Sequence, residues 1–275
     1  MEFKVMAPLW LKYPSIPQGS IGWRMGYGEA YGSKFYSWFY SLSDEEKLEF
    51  KEKFPEPICW SLEEFNLKRH NKFWVYNWEN RISTKYSIDL IVTEKVSKIE
   101  RDRIFFWGHT SNKKDRVGKE CLSQWYMADF NVGHVTYCCM EQYLMSKKAL
   151  LFGDEESKNR IMESKDQSVI KQLGREVKGF DEEVWNQFKM PIVLAGNYYK
   201  FSQVEGLRKY LLGTCNKMLV EASPYDKIWG IGMGENEAKS CEIEEWKGKN
   251  LLGFALMVVR DELARLWKFE NEVNF

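Results

Sequence analysis

A predicted helix near the middle of the chain carries a carboxylate where an apolar residue is expected. Segment 137–152, YCCMEQYLMSKKALLF, has spacings of three and four that place Tyr137, Glu141, Leu144, Lys148 and Leu151 on one face. A buried, unpaired carboxylate is costly, so on an apolar face Glu141 would have to be neutral, paired or part of a reactive site. Periodicity alone favours a rotated helix with Glu141 in solvent, because charged residues are usually exposed.

Composition excludes several classes of function. The 275 residues, 44% of them hydrophobic, suffice for one large domain or for a domain with an appended unit. Forty basic and forty acidic residues give no net charge, so bulk electrostatic binding to nucleic acid or membrane surfaces is not indicated, although a local basic patch remains possible. The longest apolar run, 251–259, falls far short of the roughly 20 residues that cross a bilayer. We therefore expect a cytoplasmic protein without a membrane partner.

Metal and cofactor motifs are missing from the sequence. The six cysteines lack a C-x-x-C pair and the three histidines lack H-E-x-x-H, so we expect reduced thiols and no metal ligated by Cys or His. The glycines at 230, 232 and 234 do not match G-x-G-x-x-G, and neither a P-loop nor G-x-S-x-G is found. No cofactor is predicted.

The first hundred residues differ in character from the rest. Residues 1–40 are rich in Gly, Pro and aromatics, which predicts an ordered cover without long regular elements. Capping boxes at 43–46 and 61–64 predict two short helices, the first ending before Pro55. Strands are predicted at 86–92 and 103–107, with charged residues between them. We therefore divide the chain into an accessory segment, 1–100, and a main domain, 101–275.

The main domain is predicted to be mainly helical. Beyond 137–152, helices are expected at 154–163, 166–174, 182–195 with a kink at Pro191, and 203–212. A short strand is expected at 217–222, and a core helix begins after Asn250 as its N-cap. The fold class is mainly α, or α+β with a few short strands.

A second segment combines carboxylates, an aromatic residue and glycines. In residues 219–232, LVEASPYDKIWGIG, Glu221 ends a strand, Asp226 lies in a loop, and Trp229 precedes Gly230 and Gly232. Glycines at such positions let backbone approach a ligand closely. This segment is predicted to form one wall of a pocket.

Seven motifs, in a consistent order over about residues 104–265, resemble the NADAR family, also described as YbiA-like N-glycosidases. They are FFWGH (105–109), CLSQWY (121–126), TYCCMEQYLMSKKALLFGD (136–154), LGREVKGF (173–180), NYYKFSQ (197–203), LVEASPYDKIWGIG (219–232) and GKNLLGFALMVVR (248–260). The resemblance implies a compact, largely helical YbiA-like domain that cleaves N-glycosidic bonds. Two substrate types are associated with the family: phosphorylated ribosylamino-pyrimidine intermediates of riboflavin synthesis, and ADP-ribose attached to guanine, including in nucleic acid.

The resemblance also implies site residues. The family's catalytic glutamate corresponds to Glu141, with Glu221 and Asp226 as further catalytic carboxylates. The expected substrate-binding residues are Ser123, Trp125, Lys148, Arg175, Asn197, Lys200, Trp229, Gly230, Gly232 and Asn250. The expected partner is an ADP-ribose-containing small molecule or an ADP-ribosylated nucleic acid.

These residue types suit the reaction on chemical grounds. Cleavage builds positive charge at ribose C1′, which a fixed carboxylate such as Glu141 stabilises, while Glu221 or Asp226 could protonate the leaving base. Trp125 or Trp229 could stack a base, and Lys148 or Arg175 could meet phosphate. Each also has a structural explanation: Lys148 pairing with Glu141, Trp229 in the core, and Arg175 supporting the end of its helix.

Two positions depart from the family pattern. Gln142 stands where many members have His, and Ile231 where some have Asp. Three hypotheses follow: a glycosidase acting on ADP-ribosylated guanine, which we favour; a glycosidase acting on riboflavin intermediates; and a non-catalytic binder of ADP-ribose or NAD, in which both departures mark lost chemistry. The accessory segment could gate the pocket or recruit nucleic acid through Trp10, Trp23, Arg24 and Tyr27, or it could simply pack on the domain.

Overall fold

The fold is mainly helical, as predicted. The computed structural model describes residues 5–57, 60, 86–97, 101–109 and 116–275. Its helices are α1 (Leu9–Lys12), α2 (Glu29–Ser41), α3 (Asp44–Lys53), α4 (Ile88–Val96), α5 (Met140–Leu151), α6 (Glu155–Glu163), α7 (Gln167–Arg175), α8 (Glu182–Gln203), α9 (Glu205–Gly213), α10 (Glu235–Lys239) and α11 (Leu251–Leu266). Its strands are β1 (Val5–Met6), β2 (Arg103–Phe106), β3 (Phe130–Val132), β4 (Val135–Tyr137), β5 (Met218–Glu221) and β6 (Val273–Asn274).

The described strands form three separate pairs. β2 lies parallel to β5, with Phe106 opposite Glu221, so the carboxyl ends of both strands meet at one edge. β3 and β4 form an antiparallel hairpin whose turn contains Gly133 at φ +60°, and β1 pairs with β6 in parallel. The confirmed strand predictions are those at 103–107 and 217–222.

Helix α5 lies at the centre of the helical part. It packs against α6, α7 and α8, while α11 packs against α8 and β5. Nine of its twelve residues are buried, which is more than one apolar face provides. Polar side chains of α5 must therefore find partners inside the protein or line a cavity.

Two of the predicted element boundaries were wrong. The prediction that the helix starting at Glu182 ends near residue 195 fails because α8 continues through Pro191 to Gln203. Residues 191–202 of this helix are all buried, and such tertiary packing outweighs the hydrogen bond that Pro191 removes. The helix predicted at 137–152 starts only at Met140, because Val135–Tyr137 belong to the hairpin.

Segment 86–92 is not the predicted strand. The Ser87 side chain accepts a hydrogen bond from the Leu90 amide and caps α4, so local capping outweighs the β-branched composition. Residues 1–40 also contain a longer element than expected, the 13-residue helix α2. The capping box at Ser43 is confirmed, with both of its hydrogen bonds formed, whereas the one predicted at 61–64 lies outside the described residues.

The N-terminal segment and the helical part share one hydrophobic core. The buried side chains of Leu9, Trp10, Phe50 and Phe54 belong to the same cluster as those of α5, α8 and α11. The ends of the chain are joined as well, because β1 pairs with β6.

Candidate active site

Glu141 lies in the first turn of α5, and the structure buries it. Only 5% of the residue is exposed, so the interpretation in which it faces solvent was wrong. Its backbone amide donates to the Gln124 carbonyl at 2.9 Å, which fixes the start of α5 against the loop 123–125. In the same loop, the Trp125 amide donates to the Ser123 Oγ at 3.2 Å. The loop and the helix therefore present Ser123, Trp125 and Glu141 together.

Glu221 reaches the site from β5. It is the last residue of that strand, and its backbone amide donates to the Asn250 side-chain oxygen at 3.0 Å. Asn250 also donates through its side-chain nitrogen to the Leu219 carbonyl at 2.9 Å. Asn250 is the N-cap residue of α11, as predicted, and has a left-handed conformation with φ 52°, but its side chain makes no capping hydrogen bond. Its carboxamide fixes the strand that carries Glu221.

The loop after β5 adds the third predicted carboxylate. One oxygen of Asp226, Oδ1, accepts hydrogen bonds from the backbone amides of Ile228 and Trp229, both at 2.8 Å. The Asp226 carbonyl accepts from the amide of Gly232 at 3.0 Å. These contacts close the loop and place Asp226 and Trp229 beside the two glutamates.

Three basic side chains line the same cavity. Lys171 and Arg175 are four residues apart on α7, and Lys148 comes from the last turn of α5. Lys148 Nζ donates to the Gly174 carbonyl at 2.7 Å and lies 4.3 Å from the centre of the Phe180 ring. These contacts connect Lys148 to α7 and to an aromatic ring. Burial lowers the pKa of Lys148.

The cavity has a volume of about 290 Å³ and contains eight of the predicted residues. Carboxylates, cations and aromatic rings therefore surround one space. Its lining consists of Ser123, Gln124, Trp125, Glu141, Leu144, Met145, Lys148, Lys171, Gly174, Arg175, Trp185, Glu221, Asp226, Ile228 and Trp229.

Burial gives the two glutamates unusual acidities. Burial is the main cause that raises the pKa of Glu141 to about 7; Asp226 adds to the rise, while Lys171, a hydrogen bond from Trp125 and Arg175 oppose it. Burial also raises the pKa of Glu221 to about 8, with the negative charges of Asp226 and Glu141 adding to the effect. At neutral pH Glu221 is therefore mainly protonated, whereas Glu141 is divided between its two forms.

Five of the predicted binding residues do not line the cavity: Asn197, Lys200, Gly230, Gly232 and Asn250. Lys200 is fully buried and donates to the carbonyls of Cys121 and Ser123 at 2.7 and 3.1 Å, so it supports the loop 123–125 from behind. Asn197 donates to the Val193 carbonyl within α8. A side chain at Gly230 would meet the Glu221 carbonyl at 2.8 Å, so this glycine permits close backbone packing.

Gln124 and Lys171 were not predicted to line the cavity. The buried Gln124 Oε1 has no hydrogen-bond partner among the described residues, nor does the buried Glu221 Oε2. Unpaired buried polar atoms in a cavity are places where a ligand or water is expected to bind. Lys171 could have been found from its spacing of four residues from Arg175 on a predicted helix, whereas no sequence pattern indicates the unpaired oxygen of Gln124.

The two departures from the family pattern are structural positions. Gln142 points away from the cavity: its Oε1 accepts from the Cys138 amide at 2.8 Å, and its Nε2 donates to the Ser164 carbonyl at 2.9 Å. Ile231 is completely buried in the hydrophobic core. Neither side chain belongs to the cavity lining.

No helix in the described part of the chain is long and apolar enough to cross a membrane. Within residues 5–57, 60, 86–97, 101–109 and 116–275, no three His, Cys, Asp or Glu side chains converge into a set that could hold a metal ion.

Comparison with known proteins identifies the family to which this fold and cavity belong. The NADAR domain matches residues 105–264, and the chain belongs to the NADAR domain family. It is 44% identical over 169 residues to the N-glycosidase R617 of Acanthamoeba polyphaga mimivirus, covering 60% of this chain and 98% of the viral protein.

More distant relatives have different lengths. The N-glycosidase YbiA of Escherichia coli strain K12 is 30% identical over 129 residues, covering 47% of this chain and 72% of YbiA. The chloroplastic riboflavin biosynthesis protein PYRR of Zea mays is 31% identical over 144 residues, which make up 50% of this chain but only 21% of that protein. The NMR structure of E. coli YbiA aligns with 60% of this chain and with 86% of the YbiA chain. The TM-score is 0.49, and the sequences are 26% identical.

Proposed function

We propose that the protein is an N-glycosidase that hydrolyses the bond between a phosphorylated ribose and a base. The observation that carries this proposal is that one cavity combines buried carboxylates with basic side chains. Its lining includes two buried glutamates with pKa values of about 7 and 8 and three basic residues, Lys148, Lys171 and Arg175. Carboxylates of separated acidity suit acid–base chemistry, and clustered cations suit phosphate.

The residues divide the reaction between them. The C1′–N bond breaks with its electron pair moving to the base nitrogen, which leaves an oxocarbenium-like ribose. Ionised Glu141 stabilises that positive charge and accepts a proton from the attacking water, whose oxygen bonds to C1′. Protonated Glu221 supplies a proton to the departing base. The products are ribose with a free C1′ hydroxyl and the base with a new N–H bond, so one water molecule is consumed. Glu141 then loses its proton to solvent and Glu221 regains one, which restores the starting state.

The substrate we propose is ADP-ribosylated guanine, as nucleoside, nucleotide or part of a nucleic acid. The three basic side chains can pair with the two negative charges of a diphosphate, one on each phosphate group. The volume of about 290 Å³ is at the small end for a ligand pocket, so the cavity would enclose the reacting ribose and its nearest phosphate, with the adenosine part outside.

A riboflavin-pathway intermediate is the second candidate. The maize relative carries riboflavin biosynthesis in its name, and the ribosylamino-pyrimidine phosphates of that pathway also join a phosphorylated ribose to a flat ring through nitrogen. A non-catalytic role has less support, because Gln142 and Ile231 occupy structural positions outside the cavity.

The test is hydrolysis of both substrates by wild-type protein and by Glu141→Gln, followed by chromatography. We expect the wild-type protein to release guanosine from ADP-ribosylated guanosine, and the variant to be slower by roughly a hundredfold or more. Glu163→Gln is the matched control, since it makes the same chemical change at an exposed position at the end of α6.

The outcomes separate the candidates. Cleavage of only the ribosylamino-pyrimidine phosphate would assign the second substrate. Two intact substrates would contradict the proposed activity, and an unimpaired Glu141→Gln variant would contradict the role of Glu141.

A further inference from the structure

Two exposed aromatic side chains belong to the segments that carry or pair with the cavity carboxylates. Trp107 directly follows β2, whose last residue, Phe106, is paired with Glu221. Tyr225 directly precedes Asp226 in the loop after β5. Trp107 is 58% exposed and Tyr225 is 85% exposed. Their ring centres are 6.2 Å apart, and the ring planes are inclined by 55°.

The segment that carries Trp107 also reaches the cavity wall. Two residues further along, the His109 ring lies 5.5 Å from the ring of Trp125, which lines the cavity and bonds to Glu141. On the other side, Ile228 lines the cavity and is 48% exposed. The two segments that carry the exposed pair therefore also supply the cavity lining or contact it.

The distribution of charge in the cavity sets the direction of a bound substrate, if the function proposed above holds. Phosphate lies toward Lys148 and Arg175, and C1′ lies at Glu141. The leaving base then points toward Glu221 and Asp226, because one of them must reach its nitrogen. Tyr225 adjoins Asp226 in the chain and Trp107 follows the residue paired with Glu221, so the exposed pair belongs to the side of the departing base.

We propose that Trp107 and Tyr225 form an aglycone subsite that stacks the flat heteroaromatic base before and after the glycosidic bond breaks. At an inclination of 55° the two rings do not stack on each other, so their faces remain available to a ligand. Stacking on exposed indole and phenol rings favours aromatic bases over aliphatic amines and tolerates differences between bases. The subsite thus selects a class of leaving group.

Binding of the two separated products tests the subsite without any turnover. The dissociation constants of guanosine and of ADP-ribose are measured by NMR titration for wild-type protein, Trp107→Ala, Tyr225→Ala and Trp107→Phe. We expect the alanine variants to weaken guanosine binding by about 5- to 100-fold, the range for one lost base–aromatic stack, and to leave ADP-ribose binding unchanged. Trp107→Phe retains a stacking face and is expected to stay within a few-fold of wild type.

Tyr40→Ala is the matched control, because Tyr40 is 71% exposed and lies on α2. In parallel, KM for ADP-ribosylated guanosine is expected to rise in the alanine variants while kcat changes only a few-fold.

Guanosine binding that is unchanged in the alanine variants would overturn the subsite, even with hydrolysis intact. Guanosine binding that is undetectable in wild-type protein would overturn it as well. Weakened ADP-ribose binding with normal guanosine binding would also overturn it, because the pair would then stack the adenine. Failure of the proposed activity appears differently, as the absence of hydrolysis by wild-type protein whatever the binding data show.

Discussion

Two glutamates in one cavity differ in charge because their surroundings differ. Glu141 is buried but lies near Lys171 and Arg175 and receives a hydrogen bond from Trp125, so part of the desolvation penalty is offset. Glu221 has less compensation, and two neighbouring carboxylates further disfavour its ionised form. In the proposed reaction, Glu221, which has the higher pKa, is therefore the proton donor, and Glu141 is the stabilising anion.

This difference predicts a narrow, bell-shaped pH dependence of kcat/KM. Activity requires ionised Glu141 and protonated Glu221, so it falls below about pH 7 as Glu141 gains a proton and above about pH 8 as Glu221 loses one. Initial rates at subsaturating substrate between pH 5 and 10 measure both limbs. In Glu221→Gln the alkaline limb is expected to disappear together with most of the activity. An alkaline limb that survives this substitution would assign the proton donor elsewhere.

The raised pKa of Glu221 also predicts that replacing this residue stabilises the protein at alkaline pH. The pKa of Glu221 rises from 4.5 to about 8 on folding, so between these values the folded state binds more protons than the unfolded state. The free energy of unfolding therefore decreases as pH rises through this window, because ionisation of the buried Glu221 disfavours the folded state. Glu221→Gln keeps the shape without the buried charge, and its Tm should equal that of wild type near pH 4.5 and exceed it by several degrees near pH 8.5.

Thermal melts at both pH values provide the measurement, with Glu163→Gln again as the control at an exposed position. A constant difference in Tm at the two pH values would contradict the shifted acidity of Glu221.

At the scale of elements, one loop and one strand of the site are held by buried polar residues from other parts of the chain. Lys200 of α8 donates to the carbonyls of Cys121 and Ser123, and Asn250 before α11 holds β5. Burial lowers the pKa of Lys200 to about 8, but its two acceptors remain neutral carbonyls in either protonation state. Both residues act through the backbone that carries the site.

Lys200→Met is expected to lower kcat by at least tenfold with a smaller change in KM. The substitution leaves the carbonyls of Cys121 and Ser123 without their donor, and the loop that bears Ser123 and Trp125 shifts. Tm should fall by several degrees. Steady-state kinetics and melts would be compared with Lys209→Met, whose side chain is 73% exposed on α9. A loss of stability with unchanged kcat would show that Lys200 stabilises the fold but does not position the site.

Local sequence signals predicted much of the fold, and tertiary contacts determined the rest. Capping residues Ser43, Asp154 and Asp166 mark helix starts correctly, because each side chain bonds to amides of its own helix. The continuation of α8 past Pro191 depends on burial by other elements, which no local pattern records. The placement of Glu141 failed for the same reason: α5 is surrounded by α6, α7 and α8, so its polar side chains cannot be assigned from one apolar face.

The site residues, too, were predicted only in part from local sequence motifs. Side chains in recognisable motifs, such as Trp125 and Asp226, lie in the cavity as expected. Gly230 and Asn250 belong to equally recognisable motifs but serve backbone packing, since motif membership does not distinguish a ligand contact from a structural contact. Only the three-dimensional structure separates these two uses.

At the scale of the whole molecule, the two ends of the chain form a single structural unit. β1 pairs with β6, and the Ala7 amide donates to the Asn274 carbonyl at 3.2 Å. The Tyr31 hydroxyl donates to the Ala7 carbonyl at 2.6 Å, so α2 is attached to the same pair. The described residues before 101 thus contribute to the core and to the closure of the fold.

Deletion of either end should therefore destabilise the protein, and the two effects should not add. Removing residues 1–6 eliminates β1, removing 273–275 eliminates β6, and each deletion breaks the same pair. We expect each to lower Tm by several degrees and the double deletion to lower it by clearly less than the sum, because the shared pairing is lost only once. Deletion of Phe275 alone, which is 55% exposed and lies beyond β6, is the control with little expected change. Melts of the four variants beside wild type give the coupling directly, and fully additive losses would show that the two ends stabilise the fold independently.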